Sequence, residues 1–130
     1  MAKLRYEAVY DVSKNEKLQI LVSLYEFQEK NMFYIYCAPL DLYGYGINEV
    51  DARNSFNIVL AEFFKYTINK KTFEKDLIRL GWKITKSRRK PAYVAPDIEK
   101  LLVDNEEFQD ILQNKDYKKT SQKIEIPVLA

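Results

Sequence analysis

The stretch "YGYGINEVDARNS", Tyr43 to Ser55, holds two of the chain's three glycines and the start of a helix. Asn48 is a natural N-cap, since its side-chain oxygen can accept from the amides of the first turn. Asp51, three residues on, can reach back to the amide of residue 48, a capping box with Asp in place of Glu. Glu49 and Asp51 also favour the positive end of the helix dipole. Beyond them Ala52, Phe56, Val59, Leu60, Phe63 and Phe64 recur at helical spacing, which predicts one apolar stripe on a helix from about 49 to 69. A Tyr-Gly-Tyr-Gly run before a helix also has the look of a phosphate-binding turn. The spacing argues against that, because the third glycine of GxGxxG falls on Glu49 and no Lys-Ser/Thr follows. Two carboxylates in the first turn would repel a phosphate. Gly44 and Gly46 are therefore expected to ease a tight strand-to-helix turn.

Working back from the helix, Leu42 to Gly46 reads as a short strand. "MFYIYCA", Met32 to Ala38, is a longer one stopped by Pro39, which cannot donate to a ladder. "EKN" at 29–31 is a hairpin turn. "LQILVSLYEFQ", Leu18 to Gln28, is the clearest strand: Leu18, Ile20, Val22 and Leu24 share one face, and Leu21, Tyr25 and Phe27 the other. Both faces are partly apolar, as in an inner strand. Residues 4–10 alternate as an additional strand, followed by a charged loop from Ser13 to Lys17.

Working forward, Thr72 is placed to cap "FEKDLIRL", and Gly81 sits where a helix ends in the left-handed conformation. "WKIT", Trp82 to Thr85, is expected to return to the sheet. "KSRRKPAYVAP" is a basic loop with a short strand at Ala92 to Val94. Asp97 caps a short helix through Leu102, and 105–113 forms another with Phe108, Ile111 and Leu112 on one side. Ile124 and Ile126 alternate in a terminal strand that Pro127 assigns to an edge.

Composition bounds the function. A chain of 130 residues suits one compact domain, here a core over 1–86 and a C-terminal extension over 87–130 packed on it. There is no histidine, which removes Ser-His-Asp, Cys-His and His-based zinc chemistry together. The reading is non-enzymatic, with no cofactor and no metal. Cys37 is the only cysteine, so there is no internal disulfide and no CxxC pair. The first residues lack a secretory signal, and no apolar run approaches the roughly 20 residues of a bilayer span. A cytoplasmic location without membrane contact is expected.

Charge lies in blocks. Lys83, Lys86, Arg88, Arg89 and Lys90 place five positive charges in eight residues. Asp97, Glu99, Asp104, Glu106, Glu107 and Asp110 follow, relieved by Lys100, and then Lys115, Lys118, Lys119 and Lys123 restore the basic sign. One reading is a solvated surface whose blocks pair with one another. Another is a nucleic-acid contact at Lys86, Arg88, Arg89 and Lys90, beside an acidic face that engages a basic partner. Tyr25, Phe27, Phe33, Tyr34 and Tyr36 interleave with strand residues. Rings on an exposed face can stack on bases, but the RNA-recognition signature is absent, so core packing or a dimer interface is expected.

The hairpin ending in "YCAPLDLYGYG", followed by "GINEVDA" at the helix entry, resembles HicB-like antitoxins. Gly46 and Ala52 match that family's pattern. Asn48 stands for its capping Thr and Asp51 for its Glu. The resemblance covers about residues 18 to 85. It implies an α+β fold, a small antiparallel sheet of three to four strands with one long helix packed on one face, here with short C-terminal helices added. It also implies a protein that occludes a small RNA-cleaving toxin by protein–protein contact. Family members often carry a C-terminal DNA-binding module, and "KIEIPV" resembles a ribbon strand without the helices that should follow. Homodimerisation through the sheet edges or the C-terminal strand is expected. The alternatives are a nucleic-acid-binding regulator and a family member without a toxin partner.

Overall fold

Lys30 and Asn31 both take positive φ, 51° and 67°, so the main hairpin closes through a two-residue turn of the I′ kind, whose twist suits antiparallel strands. This turn pairs Glu29 with Met32 and fixes the register of everything built on it. The computed structural model of the chain describes residues 8–11, 17–86 and 91–127. Its main sheet is antiparallel and contains β1 (Ala8–Asp11), β2 (Lys17–Glu29), β3 (Met32–Cys37), β4 (Leu42–Gly46) and the C-terminal β7 (Tyr117–Pro127). Four helices accompany it: α1 (Glu49–Asn69), α2 (Phe73–Arg79), α3 (Ile98–Asp104) and α4 (Glu106–Asn114). A separate two-stranded sheet joins β5 (Lys83–Lys86) to β6 (Pro91–Val94). This is the expected α+β class, an antiparallel sheet with one long helix and short ones.

β2 is the inner strand that its two half-apolar faces predicted. β7 pairs with it from Lys17 to Phe27, while β1 takes Lys17–Ile20 and β3 takes Tyr25–Glu29. Residues paired to two strands use both edges, so β1 and β3 share one edge end to end and β7 fills the other. The strand expected at 4–10 is described only from Ala8, and most of the charged loop that follows lies outside the described residues.

"WKIT" does not return to the main sheet. β5 pairs with β6 instead, from Lys83 opposite Val94 to Lys86 opposite Pro91. Trp82 still anchors this segment, its indole donating to the Pro39 carbonyl at 2.8 Å in a buried position.

Alternation sends Ile20, Val22 and Leu24 of β2 and Ile35 and Cys37 of β3 to one face, where they bury against Ala52 and Phe56 of α1 and Phe73 and Leu77 of α2. Gly44 and Gly46 act here, and not through turn conformation, since neither has a positive φ. A Cβ on Gly44 would lie 2.4 Å from the Phe56 amide nitrogen, and one on Gly46 would lie 2.6 Å from the Asp51 Cβ. α1 rests directly on the β4 backbone. Its entry is capped as expected, the Asp51 amide donating to the Asn48 side-chain oxygen at 2.8 Å. The Asp51 carboxylate meets the Asn48 side-chain amide at 3.4 Å instead of the backbone amide. Thr72 spends its hydroxyl on the Asp76 carboxylate, 2.9 Å away, and caps no backbone amide.

The C-terminal strand is held by more than its ladder. Arg53 of α1 donates to Glu26 at 2.9 Å and to Gln122 of β7 at 3.2 Å, and Thr120 of β7 donates to the same Glu26 oxygen at 2.6 Å. These bonds tie α1, β2 and β7 together on the α1 face. No helix among the described residues is long and apolar enough to cross a membrane.

Candidate functional site

The opposite face of the sheet is aromatic. In the observed register Tyr25, Tyr36 and Tyr43 lie side by side across β2, β3 and β4, and Phe27, Tyr34 and Tyr45 form the next row. The rings touch: Phe27 stacks on Tyr34 with centroids 5.2 Å apart, and Tyr36 meets Tyr43 at 4.5 Å. Such contacts stabilise beyond the area they bury. One of the five rings singled out in the sequence separates from the others in this arrangement. Phe33 packs toward the α1 core, and Tyr25 and Tyr36 are buried while Tyr34 is partly open.

α3 and α4 cover part of this face. Phe108 and Ile111 of α4 are buried on it, and Tyr25 meets Phe108 edge-on at 5.0 Å. Polar bonds fix the seat. The Tyr36 hydroxyl donates to Asp41 and accepts from Asn105, both at 2.7 Å. Asn105 in turn caps α4 by accepting from the Phe108 amide at 3.0 Å. Burial, reinforced by the bond to Asp41, holds the Tyr36 phenol well above its ordinary range. Cys37, on the other face, is fully buried and its thiol is pushed up to about 12 by that burial, so it is a small core residue and no nucleophile at neutral pH.

Of the six acidic residues named from the sequence, Asp104, Glu106 and Glu107 line one groove and Glu107 and Asp110 another. Asp97, Glu99, Asp104, Glu106, Glu107 and Asp110 are all exposed on the α3–α4 layer, against Lys100 and Lys115 as the nearby cations. Their local roles differ. Asp97 caps α3 by accepting from the Lys100 amide at 2.9 Å, and Asp104 pairs with Lys100 at 3.5 Å. Glu99 and Glu106 form no ion pair with a described residue. Exposed pairs of this kind contribute little to stability.

The covering is incomplete. Beyond the edge of α4, the second aromatic row stays open as a cleft of about 400 Å³. Its floor is Phe27, Tyr34, Tyr43 and Tyr45, and its rim carries Glu29, Glu107 and Asp110. The Tyr43 hydroxyl donates to Glu107 at 2.6 Å, and partial burial together with that bond raises its phenol above the ordinary range. Lys115 enters from the end of α4. Its ammonium donates to Glu29, lies 3.9 Å from Asp110 and sits 5.8 Å from the Phe27 ring centre. The bond to Glu29 is the main cause raising its pKa. A larger groove of about 690 Å³ runs between the end of α2 and the α3–α4 layer, but there Arg79, Lys83 and Lys100 offset all but one of the carboxylates Asp41, Asp104, Glu106 and Glu107.

The basic segment is placed only in part. The backbone of Lys86 ends β5, and Arg88, Arg89 and Lys90 lie outside the described residues. Among the described residues no group of three His, Cys, Asp or Glu side chains is arranged to hold a metal ion. Tyr43, Tyr45, Glu29 and Lys115 were not singled out as site residues by the sequence. A signal for the first two exists: odd-numbered rings at 25 and 27, even-numbered rings at 34 and 36 and odd-numbered rings at 43 and 45 share a face once a two-residue turn is placed at 30–31. Lys115 has no such signal, since its partner Glu29 is 86 residues away. Comparison with known proteins returns no matching family model, no matching curated protein and no matching solved structure.

Proposed function

We propose that this chain is a non-enzymatic binding protein of the HicB-like antitoxin type, whose α3–α4 layer covers the basic RNA-binding surface of a small RNA-cleaving toxin in the cytoplasm. The observation that carries the reading is that Asp97, Glu99, Asp104, Glu106, Glu107 and Asp110 are all exposed along α3, α4 and the cap that opens α3. A surface with six carboxylates and two lysines attracts a cationic partner and repels nucleic acid. The hairpin, Gly46, Asn48 and Ala52 at the helix entry support the same family reading, now with a physical reason for Gly46 in the approach of α1 to β4. Homodimerisation belongs to the proposal through the outer edge of β7, which has no strand partner among the described residues. Lys118, Lys119 and Lys123 on that strand oppose such pairing, so the dimer should strengthen as salt screens them.

The test is co-expression with any short basic protein encoded beside this chain, reading complex formation and RNA cleavage. The expected result is a co-purifying complex with cleavage suppressed, weakened at least tenfold by Glu99→Lys with Glu106→Lys, as desolvated charge reversal at an interface implies. A chain that neither binds that protein nor suppresses cleavage removes the antitoxin reading. Tight binding that the double reversal leaves untouched moves the interface off the acidic layer. The nucleic-acid reading rests on Lys86, Arg88, Arg89 and Lys90. Duplex or single-stranded probes should show no binding that weakens steeply with salt and is abolished by Arg88→Glu with Arg89→Glu.

A further inference from the structure

We infer that the open aromatic cleft is a receptor for one arginine side chain of a basic protein partner, stacked over Tyr34 and Tyr45 and held by Glu107 and Asp110. The inference deepens the binding-protein reading and rests on it only for the partner's basic character. Four observations converge. The lining includes four aromatic rings, a residue type whose faces attract cations through their quadrupole. The rim holds three carboxylates, and the cleft's own lysine offsets one of them, leaving an excess of negative charge. The volume, about 400 Å³, is of the size that encloses a small ligand group. The cleft already holds a cation of this chain: the Lys115 ammonium sits against Phe27, Glu29 and Asp110.

Lys115 also indicates which cation is missing. It is bonded to Glu29, while Tyr34, Tyr43 and Tyr45 also line the cleft. Glu107 and Asp110, three apart on α4, share one helical face toward the cleft. A flat surface beside two carboxylates suits a guanidinium, which stacks and donates in a planar fork, better than a second point-like ammonium. Tyr43 already donates to one oxygen of Glu107 and holds that carboxylate in place.

The test is calorimetric titration of the full chain with an acetylated Gly-Arg-Gly amide and with the same peptide carrying citrulline, which keeps the shape and removes the charge. The arginine peptide should bind at least tenfold more tightly than the citrulline peptide, the scale of a charge-assisted bidentate contact. Glu107→Gln with Asp110→Asn should weaken it about tenfold and Tyr34→Leu about fivefold, while Glu62→Gln on α1 leaves it unchanged. Equal affinity for the two peptides overturns the inference, and does so in the parent chain whether or not any variant folds. Equal weakening by Glu62→Gln and by the cleft pair also overturns it, because a diffuse field would then be the cause. If the arginine peptide binds in the cleft but the neighbouring basic protein does not associate, the cleft stands and the antitoxin reading falls. If that protein associates undiminished with the cleft variants, the reverse holds.

Discussion

Phe56 and Tyr34 lie on opposite sides of one sheet, and their surroundings differ in kind. Phe56 is fully enclosed, with the backbone of α1 so near β4 that Gly44 leaves no room for a methyl group. Tyr34 stacks on Phe27 and remains partly open to solvent beside carboxylates. The α1 face is closed, with Phe56 and Phe73 buried among Ile20, Val22 and Leu24, and substitution there should act on folding. The α4 face is aromatic, rimmed by acid and only partly covered, and substitution at its open part should act on binding. One sheet thus separates scaffold from surface by alternation alone, since neighbouring residues of a strand serve different faces.

The largest expected effect breaks the scaffold side. Gly44→Ala drives a methyl group into the α1 backbone and should cost about 3 kcal/mol, the upper range of overpacking, read by urea denaturation. Tyr34→Leu on the other side should cost about 1 kcal/mol or less, as for a partly exposed residue outside a bonded network. Similar losses for the two would erase the contrast.

A smaller effect sharpens the point where the faces are not equivalent to closed and open. Tyr36 is buried on the aromatic side and bridges Asp41 to Asn105. Tyr36→Phe should cost about 2 kcal/mol, because two polar groups lose their partner. The pH dependence carries the same signature. Tyr36 and Tyr43 keep their protons in the folded chain beyond the ordinary phenol value, so the unfolded chain binds fewer protons once pH exceeds that value. Their stabilising contribution is complete below about pH 10 and is lost as pH rises above it. Tyr36→Phe should flatten that alkaline loss in a thermal-melting series, and an unchanged slope would contradict the assignment. The smallest effect is at the helix entry: Asn48→Ala should remove about 1 kcal/mol, with no change in arginine-peptide affinity.

These elements were legible in the sequence to different degrees, for physical reasons. The cap at Asn48, the helix from Glu49 to Asn69 and the left-handed Gly81, whose φ is 101°, depend on residues within a turn or two of one another. The destination of "WKIT" depended on which segment it pairs with, here β6. Local pattern does not encode such a choice of partner. The role of Gly44 and Gly46 was misread for a related reason, since the close approach is to residues of α1 and not to the turn. The acidic layer was legible as a run of charge, and its six members are all exposed. The aromatic cleft was half legible: the rings were visible, but "EKN" left open which residues formed the turn. Without the I′ pair at Lys30 and Asn31 the two aromatic rows cannot be aligned.

The separation of scaffold from surface is tested most directly by ring-proton NMR during titration with the arginine peptide. Shifts should concentrate on Tyr34, Tyr43 and Tyr45, with Phe56, Phe63 and Phe73 unmoved. Shifts confined to the α1 side, or spread evenly over both faces, would contradict it.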